Sequence, residues 1–126
     1  MPKALNKVLI VEDEEALLAV LAKKFTIEKF KVFEASNGQA GLEQALRHHP
    51  DIILLDILMP VMDGMTVLKK LRQDSWGKSV PIIMLTNLSD EKKEAEAAKE
   101  GCYDYFIKAD WNIDDLVKKV RSKLKQ

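Results

Sequence analysis

Glu12, Asp13 and Asp56 are carboxylates that follow or end short apolar runs, and Thr86 and Lys108 stand in the same position after two more such runs. Three carboxylates brought together repel one another, and one is driven toward protonation unless a cation sits among them. A hard divalent ion such as Mg²⁺ suits oxygen ligands, keeps several of its waters and is commonly held by one or two carboxylates. A carboxylate can also attack phosphorus to form an acyl phosphate. A phosphoryl group in transfer spreads negative charge over its oxygens, so cations and hydrogen-bond donors must surround it. Mg²⁺ would be one cation, the compact Lys108 ammonium a second, and the Thr86 hydroxyl a donor.

That chemistry needs the five residues in one place. Val8-Leu9-Ile10-Val11, Ile52-Ile53-Leu54-Leu55 and Ile82-Ile83-Met84-Leu85 are unbroken apolar runs, as expected of strands buried on both faces. Lys31 to Ala35 and Tyr103 to Ile107 are weaker strand candidates. Helical spacing links Leu17, Leu18, Leu21 and Phe25, then Leu42, Ala45 and Leu46, then Val67, Leu68 and Leu71. A last stripe joins Ile113, Leu116, Val117, Val120 and Leu124. A fourth helix from Glu91 to Glu100 offers mainly alanines, with Asp90 as its expected N-cap and Gly101 as its stop. The order is therefore βα five times, which predicts a parallel sheet with helices on both faces. Ligands of such sheets bind beyond the carboxyl ends of the strands, the rim where all five polar residues fall.

The remainder of the chain excludes several classes. Its 126 residues make one domain, 1–126, with 20 basic and 20 acidic residues and no formal net charge. That balance gives no electrostatic reason to expect direct nucleic-acid or anionic-lipid binding. Cys102, the single cysteine, cannot form an internal disulfide and reads as a small buried hydrophobe. No apolar run is long enough to span a membrane and no signal-peptide pattern opens the chain, so a cytoplasmic location is expected.

Taken singly, each polar residue has a plainer reading. Glu12-Asp13 could complement a helix dipole, Asp63-Gly64 is a turn signal, Thr86 could bond its own backbone, and lysines such as Lys108 are usually solvated. His48 and His49 suit a helix end before Pro50, and Trp76 and Trp111 read as packing residues.

Together, Val8 to Glu14, the stretch Asp56-Ile57-Leu58-Met59-Pro60-Val61-Met62-Asp63-Gly64, Thr86 and Lys108 resemble the receiver domain of two-component response regulators. The resemblance covers nearly the whole chain. It implies the flavodoxin-like, CheY-like fold, with strand order 2-1-3-4-5 and five helices. It also implies that Asp56 is the phosphoacceptor and that Asp13 ligates Mg²⁺, with Glu12 assisting through a water and the Leu58 carbonyl completing the set. Thr86 and Lys108 would contact the phosphoryl group, and Thr86 and Tyr105 would form the switch. The implied donor is a sensor histidine kinase or a phosphotransfer protein. The implied output is a partner protein bound at the face of the fourth helix, fifth strand and fifth helix. Turnover beyond self-catalysed transfer and autodephosphorylation is not expected, nor more than a monomer or a weak phosphorylation-dependent dimer.

Two positions depart from the pattern. Ala109 follows Lys108 where proline is usual, and a cis bond before alanine would cost about 2.5–4 kcal/mol. Asn87 follows Thr86 where a small residue is usual, which would narrow access to Asp56. A stand-alone regulator is the first expectation, and the receiver of a longer DNA-binding or enzymatic regulator the second. A phosphoaspartate phosphatase would carry a second Asp where Leu58 stands. A flavin or nucleotide binder would need a Gly-, Ser- or Thr-rich loop where Glu12 to Glu15 stand.

Overall fold

The computed structural model describes residues 5–87, 91–102, 104–108 and 112–124. Strands and helices alternate: β1 (Lys7–Val11), α1 (Glu15–Ile27), β2 (Lys31–Ala35), α2 (Gly38–His48), β3 (Ile52–Asp56), α3 (Gly64–Arg72), β4 (Ile82–Thr86), α4 (Glu91–Lys99), β5 (Asp104–Ile107) and α5 (Ile113–Lys123). The strands form one sheet in the order β2-β1-β3-β4-β5, every pairing parallel.

Alternation along the strands divides the core into two layers. Val8, Ile10, Ile52, Leu54, Ile83 and Leu85 face α1 and α5, where Leu18, Leu21, Phe25, Leu116, Val117 and Val120 close over them. Leu9, Val11, Ile53, Leu55, Ile82 and Met84 face α2, α3 and α4, against Ala45, Val67, Leu68, Leu71 and Ala97. Both faces of β1, β3 and β4 are thus apolar, which explains the unbroken runs in the sequence. Truncating a central residue such as Leu54 to alanine would cost about 2–5 kcal/mol, because the packed layer cannot fully collapse.

Helix ends follow local chemistry. The Asn37 side-chain Oδ1 accepts from Ala40 N at 2.8 Å and caps α2. Asp63 Oδ1 accepts from Thr66 N at 2.8 Å, so the expected turn residue is the N-cap of α3. Gly101, at φ +73°, ends α4: Gly101 N donates to Ala98 O and Cys102 N to Ala97 O, both at 3.0 Å. Arg72 fixes that end of α4 to the α3–β4 loop, donating to the carbonyls of Glu100 at 2.8 Å, Gly77 at 2.7 Å and Val80 at 2.9 Å.

Some expectations need adjustment. Leu46 is exposed; the buried face of α2 is Gly38, Gly41 and Ala45, spaced three and four apart, and Leu46 lies about 100° round the helix from Ala45. A Cβ on Gly41 would lie 2.7 Å from the Val11 side chain. The fourth helix ends at Lys99, one residue early. His48 stacks on Phe33 and His49 on Trp76, so both histidines pack as well as ending α2. Cys102 is buried as expected. Asp90, Tyr103, the Lys108–Ala109 bond and Trp111 lie outside the described residues.

Candidate functional site

Glu12 and Asp13 directly follow β1. Glu12 N donates to Ala35 O at 3.0 Å, one more rung of the β1–β2 ladder, so Glu12 is held as if it were strand. Asp56 is the last residue of β3, paired in register with Leu85 of β4. Thr86 closes β4 beside Ile107 of β5, and Lys108 comes next after β5. Parallel pairing brings all these carboxyl ends to one rim.

At that rim one carboxylate oxygen from each of Glu12, Asp13 and Asp56 lies within 4.8 Å of the others. Glu12 is fully buried and Asp56 is 4% exposed, whereas Asp13 is half-buried. Lys108 reaches into the cluster, with Nζ 2.6 Å from Glu12 Oε1 and 3.2 Å from Asp56 Oδ2. The other Glu12 oxygen accepts from Glu14 N at 3.1 Å. Buried carboxylates without such partners would be strongly disfavoured.

The electrostatics follow from this crowding. Burial first, then the hydrogen bond and negative charge of Glu12, push the Asp56 carboxyl up to about 7, against the opposing pull of Lys108. For Lys108, burial acts to lower its pKa, but the Glu12 hydrogen bond and the two carboxylate charges outweigh it, and the net shift is upward. An ammonium is therefore retained while the carboxylates compete for it. The donor set (oxygen only, part-open at Asp13) fits a hard divalent cation, which would relieve the repulsion between Glu12, Asp13 and Asp56.

The loop after Asp56 is braced from two sides. Gly64 N donates to Ile57 O at 2.8 Å, and a Cβ on Gly64 would stand 2.0 Å from Asp56 O. A Cβ on Gly38, at the start of α2, would stand 1.8 Å from Met62 O. Only glycine allows these approaches. Gly64 is thus more than the turn signal of Asp63-Gly64, and no sequence motif marks Gly38. Met59 and Met62 pack inward, whereas Leu58 and Val61 face solvent.

The structure brings Glu12, Asp13, Asp56 and Lys108 together as expected. It adds one relationship that spacing did not suggest: Lys108 pairs more closely with Glu12 than with Asp56. Asn87 is exposed immediately after Thr86. Tyr105 packs against the α2–α3–α4 core layer, and its hydroxyl donates to Glu94 O of α4 at 2.9 Å. Chiefly because of burial, that phenol is pushed up to about 12. Among the described residues, no helix is long and apolar enough to cross a membrane.

Comparison with known proteins agrees with this geometry. The family model of the response regulator receiver domain matches residues 8–121. The response regulator PleD of Caulobacter vibrioides is 38% identical over 111 residues, which is 88% of this chain and 24% of PleD. ArlR of Staphylococcus aureus is 34% identical over 122 residues, 97% of this chain and 54% of ArlR. The chain thus spans between about a quarter and about half the length of these relatives. Among solved structures, the Vibrio cholerae chemotaxis protein CheY4 superposes with a TM-score of 0.88 at 29% identity, covering 94% of this chain and 98% of CheY4. The CheY of Borrelia burgdorferi, solved as a CheX–CheY–BeF3–Mg complex, gives 0.85 at 28% identity, covering 94% of this chain and 89% of that one. Fold, rim and sequence converge, and the chain belongs to the response regulator receiver domain family.

Proposed function

We propose that this receiver domain accepts a phosphoryl group on Asp56 from a sensor histidine kinase or a phosphotransfer protein and uses it to control a partner protein. The reading is carried by the meeting of Glu12, Asp13 and Asp56 within 4.8 Å, with Lys108 alongside. An Asp56 oxygen attacks phosphorus, the bond from phosphorus to the donor's imidazole nitrogen breaks, and that imidazole leaves with a proton taken up from solvent. Asp56 must be ionised to attack, and Lys108 holds it toward the carboxylate. Asp13 and Asp56 would hold Mg²⁺, with Glu12 acting through water and the Leu58 carbonyl completing the protein's ligands. Bound there, Mg²⁺ supplies positive charge against the phosphoryl oxygens. The Borrelia burgdorferi complex, crystallised with BeF3 and Mg²⁺, supports that assignment by similarity.

Thr86 would donate to a phosphoryl oxygen and Lys108 would pair with another. Movement of Thr86 would then change the state of Tyr105, which already bonds α4. Only Ala97 of α4 is buried among its described residues, so little packing opposes a shift of α4 within the α4–β5–α5 face.

Intact mass after incubation with acetyl phosphate and Mg²⁺ tests the reading. One added phosphoryl group is expected on the wild type and none on Asp56→Asn. Equal labelling of the two, or none on the wild type, would remove it.

A further inference from the structure

We propose that Gly38 is a positioning residue for the cation site. By letting the first turn of α2 touch the Met62 carbonyl, it sets the separation between the carboxyl end of β1 and the loop after Asp56, and so favours Mg²⁺ over larger divalent ions. The proposal rests on the reading above of Asp13, Asp56 and the Leu58 carbonyl as the Mg²⁺ ligands.

Gly38 and Gly41 lie about one turn apart on the buried face of α2 and meet different partners. A Cβ on Gly41 would stand 2.7 Å from the side chain of Val11, the residue just before Glu12-Asp13. A Cβ on Gly38 would stand 1.8 Å from Met62 O and 2.9 Å from Met62 Cβ. The turn from Gly38 to Gly41 is thus wedged between the strand end that leads to Asp13 and the loop that carries Leu58. Neither glycine serves a special backbone angle, because among the described glycines only Gly101 has a positive φ. What both positions require is the missing side chain.

Both sides of the wedge are held. In α2, Asn37 Oδ1 accepts from Ala40 N at 2.8 Å and Gly41 N donates to Asn37 O at 2.9 Å, which fixes the turn. In the loop, Ile57 N donates to Leu85 O at 3.2 Å and Asp63 caps α3, so the two ends are tied down. Between those ends Met62 N donates to Pro60 O at 2.8 Å, and Met59 and Met62 pack on the core. A push on the Met62 carbonyl is therefore passed to a short, internally bonded segment that starts at Leu58.

A hard cation is sensitive to such a push. Mg²⁺ demands near-octahedral oxygens at about 2.0–2.1 Å, whereas Ca²⁺ accepts about 2.3–2.6 Å and irregular geometry. Asp56 is fixed as part of β3, and Asp13 follows Glu12, which is held on the β1–β2 ladder. The Leu58 carbonyl comes from the loop, so its place depends on the Gly38 contact. A methyl group at position 38 drives the loop away from α2 and from the β1 end on which α2 rests. That widening penalises Mg²⁺ more than Ca²⁺.

Titration calorimetry of the full chain with MgCl₂ and with CaCl₂ tests this, beside melting temperatures. Gly77→Ala is the control: its Cβ would stand 2.2 Å from Leu71 O, also a backbone clash, but before β4 and so at the end of the sheet opposite the rim. Gly38→Ala should weaken Mg²⁺ binding about tenfold, as loss of a supporting group does, and Ca²⁺ binding by no more than about twofold. Gly77→Ala should lower the melting temperature and leave both affinities within about twofold of wild type. Asn37→Ala frees the α2 turn without adding atoms and should weaken Mg²⁺ binding about threefold, with Ca²⁺ binding unchanged; it decides the matter if Gly38→Ala does not fold. Wild-type Mg²⁺ affinity in the deciding variant would overturn the proposal. So would an equal loss of both ions, which would make general loosening responsible, or the same loss in Gly77→Ala, which would make stability the cause. Wild type that binds no Mg²⁺ would remove the ligand assignment itself.

Discussion

Lys108 Nζ lies 2.6 Å from Glu12 Oε1 and 3.2 Å from Asp56 Oδ2, so one ammonium is shared by two buried carboxylates. Glu12 therefore holds Lys108 at the rim as well as facing the cation site. Lys108→Met should leave both carboxylates without that charge and destabilise the protein by about 3 kcal/mol at pH 8 in EDTA. The loss should shrink at pH 5, where Asp56 takes a proton. Urea denaturation at the two pH values measures it, and coincident curves for mutant and wild type at pH 8 would contradict the shared-charge account.

Asp56 sets a pH dependence of stability. Its folded pKa, about 7, lies above its ordinary value of 3.8. The folded state thus binds the proton more tightly than the unfolded chain does. The associated stability is present below pH 4 and is lost as pH rises through 7. In EDTA, Asp56→Asn should therefore gain on wild type between pH 4 and 7, with the difference levelling off above pH 7. Mg²⁺ should narrow it at high pH. A difference in melting temperature that stays flat from pH 4 to 8 would rule this out.

Asp13 is the half-open member of the acidic cluster. Asp13→Asn should weaken Mg²⁺ binding about tenfold or more in titration calorimetry, since a lost charged ligand costs at least as much as a lost supporting group. Stability in EDTA should hardly change, because Lys108 pairs with Glu12 and Asp56 rather than with Asp13. Wild-type affinity in the variant would take Asp13 out of the ligand set.

Gly64→Ala forces a Cβ to within 2.0 Å of the Asp56 carbonyl, and something must shift. A destabilisation of about 2 kcal/mol is expected, together with slower labelling by acetyl phosphate, because the backbone of the phosphoacceptor itself is displaced. Unaltered stability and labelling would show that the loop yields more easily than this packing implies.

Tyr105→Phe removes the hydroxyl that donates to Glu94 O. The cost should be about 1 kcal/mol. Amide exchange should accelerate within α4, while the mass added by acetyl phosphate stays at one phosphoryl group. Unchanged exchange in α4 would mean that the Tyr105 hydroxyl does not restrain that helix.

The sequence by itself determined the alternation of strands and helices. A strand buried on both faces must be apolar at every position, and β1, β3 and β4 are. The rim residues were legible for the same reason: a polar side chain that abruptly ends such a run marks the carboxyl end of a strand. Strand order came through family resemblance, since periodicity carries no information about which strands are neighbours. The tertiary structure alone decided the rest. It paired Lys108 with Glu12 across 96 positions of chain. It converted Asp63 from turn residue to helix cap, and it set the buried face of α2 at Gly38, Gly41 and Ala45, where Gly41 meets Val11 of β1, and so left Leu46 exposed. It also turned Val61 left-handed and outward. These are relations between segments distant in sequence, fixed by how closely backbones approach. A linear pattern records which residues are apolar, not the distances between the elements that carry them.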